Sequence, residues 1–149
     1  AGPRSAGGVT VIRITVPGDP VPWARARSSG RRRYTAPEQA AWMQRCWLQA
    51  RLAAPHAPPG RLVLQVVAVV ARPQSRPDAA TREEWATGER VPAVGRFDAD
   101  NALKIVADAL QERGWLDDDR RISRMSVTKV WAARGEGACV EIELSCVLP

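Results

Sequence analysis

Residues 61–71 read RLVLQVVAVVA, and this run decides the fold. It is apolar at nearly every position, interrupted only by Gln65, and far too short to span a bilayer. Such a run suits a strand buried on both faces, central in a sheet. Upstream, residues 9–16 (VTVIRITV) alternate β-branched residues with Thr and Arg and read as a second strand, ended by PGDPVP. The segment WARARSSGRRRYTAP follows, with a Ser-Ser-Gly turn or loop between two basic arms. Pro37, after Thr35, then opens a helix through EQAAWMQRCWLQARLAA, where Trp42, Cys46 and Gln49 or Trp47 recur at helical spacing. AAPHAPPG stops it.

Downstream of the central run, PQSRPDAATREEWATGERVPAVGR is long and polar, with a short helix predicted over residues 79–85. Residues 98–113 form a helix closed by Gly114. Residues 122–132 and 138–148 are strands joined at RGEG, and the spacing predicts that they pair as a hairpin. The order β-α-β-α-β-β predicts an α+β domain: a mixed sheet with two main helices packed on it. A chain of 149 residues fits one such domain, over 9–149, with residues 1–8 expected to be a flexible tail.

Composition narrows the function. The chain has three cysteines without a CxxC and one histidine, His56, in a loop-like stretch. That usage argues against a Cys/His zinc site and against Ser-His-Asp or Cys-His catalysis, so carboxylates must carry any chemistry. The opening AGPRSAGG has no apolar signal region, and a cytoplasmic location is expected. A net charge of +6 and a pI near 10.2 point to a polyanionic partner. Of 22 basic residues only Lys104 and Lys129 are lysines. In so arginine-rich a chain a lysine marks a place that suits a compact ammonium head.

Against this basic background, residues 98–119 (DADNALKIVADALQERGWLDDD) hold seven of the sixteen acids. On a helical wheel Ala102, Leu103, Val106, Ala107 and Leu110 form one apolar stripe, and Asp100, Lys104 and Asp108 form its flank. One account of the acids is structural. Asp98 or Asp100 caps the helix, Asp100 pairs with Lys104, and Asp117, Asp118 and Asp119 make a solvated turn that Arg120 and Arg121 neutralise. The other is chemical. Two carboxylates at a helix start and one or two from the following turn converge on a hard divalent cation. Lys104 then holds a phosphate or the attacking water, and arginines elsewhere hold the polyanion.

The pattern resembles the RusA family of Holliday-junction resolvases. VPGDPVPWARAR is similar to the family's strand-ending VPG-x-PVP-x-x-RPR segment, and YTAP to the lead-in to its first helix. DADNALKIVADAL is similar to its PD-x-DN-x-x-K-x-x-x-DAL stretch, and LDDDRRI followed by Lys129 to its W-x-DD-x-Q-V…K segment. Together these span about residues 11–130 in the family's order. Departures are Arg96-Phe97 for the usual Lys-Pro, Arg121 for Gln, Ala26 for Pro, and a longer polar stretch at 74–95.

By position, the resemblance implies that Asp98 and Asp100 are the paired catalytic aspartates and Lys104 the lysine required for cleavage. The third metal carboxylate falls on Asp119, with Asp118 next. It also implies Mg²⁺ as cofactor with Mn²⁺ able to substitute. The partners would be a four-way or branched DNA and a second copy in a homodimer, in a bacterial or phage setting. Arg25, Arg27, Arg31, Arg32 and Arg33 are candidate phosphate contacts, and Trp23 a candidate for stacking on an unpaired base. The competing readings are a nuclease of the same chemistry on other branched DNA, and a DNA-binding protein without catalysis.

Overall fold

The computed structural model describes residues 4–6, 9–18, 27–29, 32–34, 37–72, 79–93 and 99–147. Its central strand is β5, Leu62–Val70, which grows from the apolar run at 61–71. Around it the chain supplies β1 (Arg4–Ala6), β2 (Val9–Pro17), β6 (Val91–Pro92), β7 (Ile122–Trp131) and β8 (Cys139–Val147). These six strands make one sheet in the order β1-β2-β8-β5-β7-β6. A separate two-stranded ribbon pairs β3 (Arg27–Ser29) with β4 (Arg32–Tyr34). The helices are α1 (Pro37–Ala53), α2 (Ala79–Trp85) and α3 (Ala99–Glu112), so the α+β architecture with a mixed sheet is as the element order predicts. Within the stretch expected to be a tail, Arg4–Ala6 adds an edge strand antiparallel to β2. No helix among the described residues is long and apolar enough to cross a membrane.

The expected hairpin between the last two strands does not form. β7 runs parallel to β5, and β8 lies antiparallel between β2 and β5. The reason is burial. Leu62, Leu64, Val66 and Ala68 are at most 1 % exposed, whereas residues 123–126 of β7 are exposed. The most apolar strand therefore takes the position flanked on both edges, and the RGEG loop steps across it. β7 instead closes a parallel crossover from β5 through α3, which the local turn chemistry at 133–138 does not reveal.

Strand alternation divides the sheet. Ile12, Ile14, Val16, Leu62, Leu64, Val66, Val140, Ile142 and Leu144 face α1 and α3 and join their buried faces in one core. Trp42, Cys46 and Ala50 of α1 are fully buried there, and burial pushes the Cys46 thiol up to about 12. From α3 come Ile105, Val106, Ala109 and Leu110, with Leu103 packed at the margin. Asp100, Lys104 and Asp108, on the flank of that stripe, are exposed.

A second, smaller cluster sits at the far end of β5 and β7, where Val70, Val91 and Trp131 pack with Trp85 of α2. Arg72 ties this end together. Its guanidinium donates to the carbonyls of Ala132 (2.8 Å), Trp85 (3.1 Å) and Glu89 (2.9 Å) and lies over the Trp85 ring at 5.3 Å. Trp85 meets Trp131 edge-on, with centroids 5.9 Å apart. The polar stretch after β5 thus folds back onto the sheet and delivers β6 to its edge.

Candidate active site

The first acid group belongs to the start of α3. Asp100 lies in its first turn, where unpaired backbone N–H groups favour negative charge. Asp98, one residue ahead of the helix, lies outside the described residues. The chain reaches this helix from β6. Ala93 donates its N–H to the Lys129 carbonyl at 3.0 Å, so the strand is left beside Lys129 and α3 begins six residues later.

The second acid group hangs at the opposite end. Gly114, at φ 78°, takes the left-handed conformation that turns the chain after α3, and Leu116 N–H closes on the Leu110 carbonyl at 2.8 Å. Trp115 is buried; its Nε1 donates to Ala54 O (2.9 Å) and its carbonyl accepts from Ala57 N–H (2.8 Å). Beyond this anchor Asp118, in extended conformation, caps the 3-10 turn Asp119–Arg121 by accepting from Arg120 N–H at 2.9 Å.

Arginines engage two of the three consecutive aspartates. Arg120 lies against Asp118 at 2.8 Å and Arg121 pairs with Asp117. Each partner's hydrogen bond holds the Asp118 and Asp117 carboxyls below their usual range. Arg121 also donates to the carbonyls of Pro58 and of Gly60, the latter at 3.0 Å, and so fastens the turn to the lead-in of β5. Asp119 is exposed, and among the described residues no ion pair engages it or Asp100. Exposed carboxylates of this kind are the oxygen donors that a hard cation prefers. Of the two candidates for a third carboxylate, Asp118 is taken up by its cap and by Arg120, whereas Asp119 is in no ion pair among the described residues.

Between Asp100 and Leu110 the helix advances about 15 Å. Asp100 and Asp119 therefore belong to turns at opposite ends of α3. Among the described residues no three Asp, Glu, His or Cys side chains form a metal-holding group. The set Asp98, Asp100, Asp118 and Asp119 is thus not drawn together by its described members alone.

Of the candidate DNA contacts, Arg27 lies in β3 and Arg32 and Arg33 in β4, with Arg27 opposite Tyr34 and Arg32 opposite Ser29. Trp23, Arg25 and Arg31 lie outside the described residues. The features that sequence reasoning missed are the Asp118 cap, the Arg121 bridge to residues 58–60 and the Arg72 clamp. Adjacent Arg120-Arg121 hinted at the neutralisation of the turn, but nothing local signals a reach across the chain.

The family model described as endodeoxyribonuclease RusA matches residues 17–143, from the end of β2 to the middle of β8. The chain belongs to the RusA family. It is accordingly an endodeoxyribonuclease, and the match takes in both acid groups and both lysines. Among curated proteins no sequence matches the chain.

Proposed function

We propose that this RusA-family chain resolves four-way DNA junctions as a homodimer, hydrolysing two symmetry-related phosphodiesters with Mg²⁺ or Mn²⁺ as cofactor. Asp98, Asp100 and Asp119 would hold the cation. When bound, it supplies Lewis acidity and a more acidic water. Water oxygen forms the new bond to phosphorus, the bond to the 3′ oxygen breaks, and that oxygen leaves as a 3′-hydroxyl after taking a proton, with a 5′-phosphate on the other strand end. Lys104, one helical turn beyond Asp100 on the exposed flank, offers a point charge to the scissile phosphate. The arginine-bearing ribbon β3–β4 supplies contacts to flanking phosphates.

The observation that supports this reading is that, while Asp117 and Asp118 are engaged by arginine, Asp100 and Asp119 are both exposed and in no ion pair among the described residues. Their separation along α3 supports a site assembled between two protomers, with Asp98 and Asp100 from one and Asp119 from the other. An isologous dimer then presents two equal sites to two equal strands. The test is cleavage of a four-way junction with and without Mg²⁺, for the parental protein and for Asp100→Asn. The parent is expected to cut only with metal, and the variant to bind the junction without cutting it. Parental cleavage by Asp100→Asn would refute the site. Metal-independent DNA binding with no product from the parent would leave a binding protein in its place.

A further inference from the structure

The row of β7 that faces the helices reads Met125, Val127, Lys129, Trp131, since their β5 partners are Leu64, Val66, Ala68 and Val70. Val127 packs on the main core and Trp131 belongs to the second cluster. Lys129 is the one charged residue of that row, half-buried at the gap between the two clusters and opposite Ala68, which is 0 % exposed. An ammonium in an apolar row is costly unless it reaches water or a charge. The small partner leaves space, and the flexible four-carbon stem lets the head leave by the gap.

What lies at that gap follows from the chain path. The C-terminal end of α3 is tied through Leu116 and Trp115 to residues 54–57, at the side where β5 and β7 begin. The helix therefore runs back along β7, and its first turn comes about 15 Å from Leu110, toward the level of the later residues of β7. The Ala93–Lys129 backbone bond pins the approach to α3 at this same residue. Both lysines of a chain with 22 basic residues thus belong to the Asp100 end of α3, one on the helix and one on the strand beneath it. The strand is held stiffly, since Trp131 and Ala132 are clamped by Trp85 and Arg72.

We propose that Lys129 is a second phosphate-contacting lysine of the nuclease site, placing its ammonium on the scissile phosphate beside Asp100 and Lys104. This rests on the junction-nuclease reading above. Its charge offsets the negative charge that builds on the phosphate oxygens as water adds, and it transfers no proton. A fixed donor at such a position is worth roughly 100-fold or more in rate.

The test compares Lys129→Met, Lys129→Gln and Lys129→Arg with the parent on a four-way junction, under single-turnover conditions with Mg²⁺. Thermal melting reports folding, and junction binding without metal is measured across a salt series. The two neutral variants are expected to cut about 100-fold more slowly while melting as the parent does. Their log–log salt slope should fall by about 0.9, the loss of one phosphate contact. Lys129→Arg should recover part of the rate and the whole slope. Lys129→Gln decides the matter if Lys129→Met does not fold. Neutral variants with parental rate and slope overturn the proposal, as does a rate loss that only follows a lowered melting temperature. A parent that cuts beside a Lys129→Gln that cuts equally well removes Lys129 alone. A parent that never cuts removes the function and this role with it.

Discussion

Arg121 Nε and the carbonyl oxygen of Gly60 are 61 positions apart in the chain and 3.0 Å apart in space. The same guanidinium holds Pro58 O and Asp117. One side chain therefore fixes where the turn bearing Asp119 sits against the start of the central strand. Gly60, at φ 90°, makes the turn that brings its carbonyl there.

Arg121→Gln is expected to destabilise the fold by about 1–3 kcal/mol, because it strips donors from the Pro58 carbonyl, which is part-buried, and from that of Gly60. For a chain of this length that is a fall in melting temperature of roughly 2–10 °C. Junction cleavage at a temperature where the variant is fully folded should fall further than binding does. A variant that melts low yet cuts at the parental rate would show that Asp119 needs no such footing.

Asp100 and Asp119 in turns at opposite ends of α3 make a second prediction. Asp100→Asn and Asp119→Asn should each abolish cleavage. Co-expressed as mixed dimers, they should regain nicking, since one of two sites shared between protomers then keeps both carboxylates. Sites contained within single protomers would leave the mixed dimer inactive. A nicking assay on a supercoiled plasmid extruding a cruciform reads the difference.

Acid should weaken the fold through its arginine pairs. Hydrogen bonds from Arg90, Arg121 and Arg120 lower the pKa of Glu136, Asp117 and Asp118 respectively. A depressed carboxyl pKa stabilises the folded state above the unfolded value, roughly 4, and the contribution fades as pH falls through the lower folded value. Melting temperature should therefore hold between about pH 7 and pH 5 and decline below about pH 4. Glu136→Gln should flatten that decline. An acid limb equally steep in Glu136→Gln removes the Arg90–Glu136 pair as one of its causes.

Arg72 offers a fourth test. Replacing it with Lys removes the planar fork that satisfies three carbonyls and stacks on Trp85. The backbone amides of Val91 and Ala93 should then exchange faster, while those of β2 and β8 keep their protection. Uniform loss of protection would mean that this end of the sheet is not a separate clamp.

Much of this was legible along the chain. The run at 61–71 is apolar on both sides of its pleat, so it had to be central. The stripe Ala102, Val106, Leu110 decided which face of α3 goes inward, and Ala79–Trp85 formed a helix where its residues said so. The crowding of acids at 98–100 and 117–119 in a basic chain raised the question of a site. Local pattern failed where the outcome depended on competition between distant segments. RGEG is a fair hairpin turn, but β5, whose Leu62, Leu64, Val66 and Ala68 are almost wholly buried, takes the place between β8 and β7. Hydrophobic burial outweighs a favourable turn, whose contribution is local.

The same division runs through the site. Residue types and spacing were enough to raise a carboxylate and lysine site at 98–119, because ligand chemistry is written in side chains, and the family resemblance picked out Asp98, Asp100, Lys104 and Asp119 within it. Which aspartate keeps its oxygens, which is taken by a cap or an arginine, and that α3 sets the two acid turns at its opposite ends, were decided only in three dimensions. A hydrogen bond such as Arg121 to Gly60 costs nothing to specify in space and leaves no period or motif in the chain.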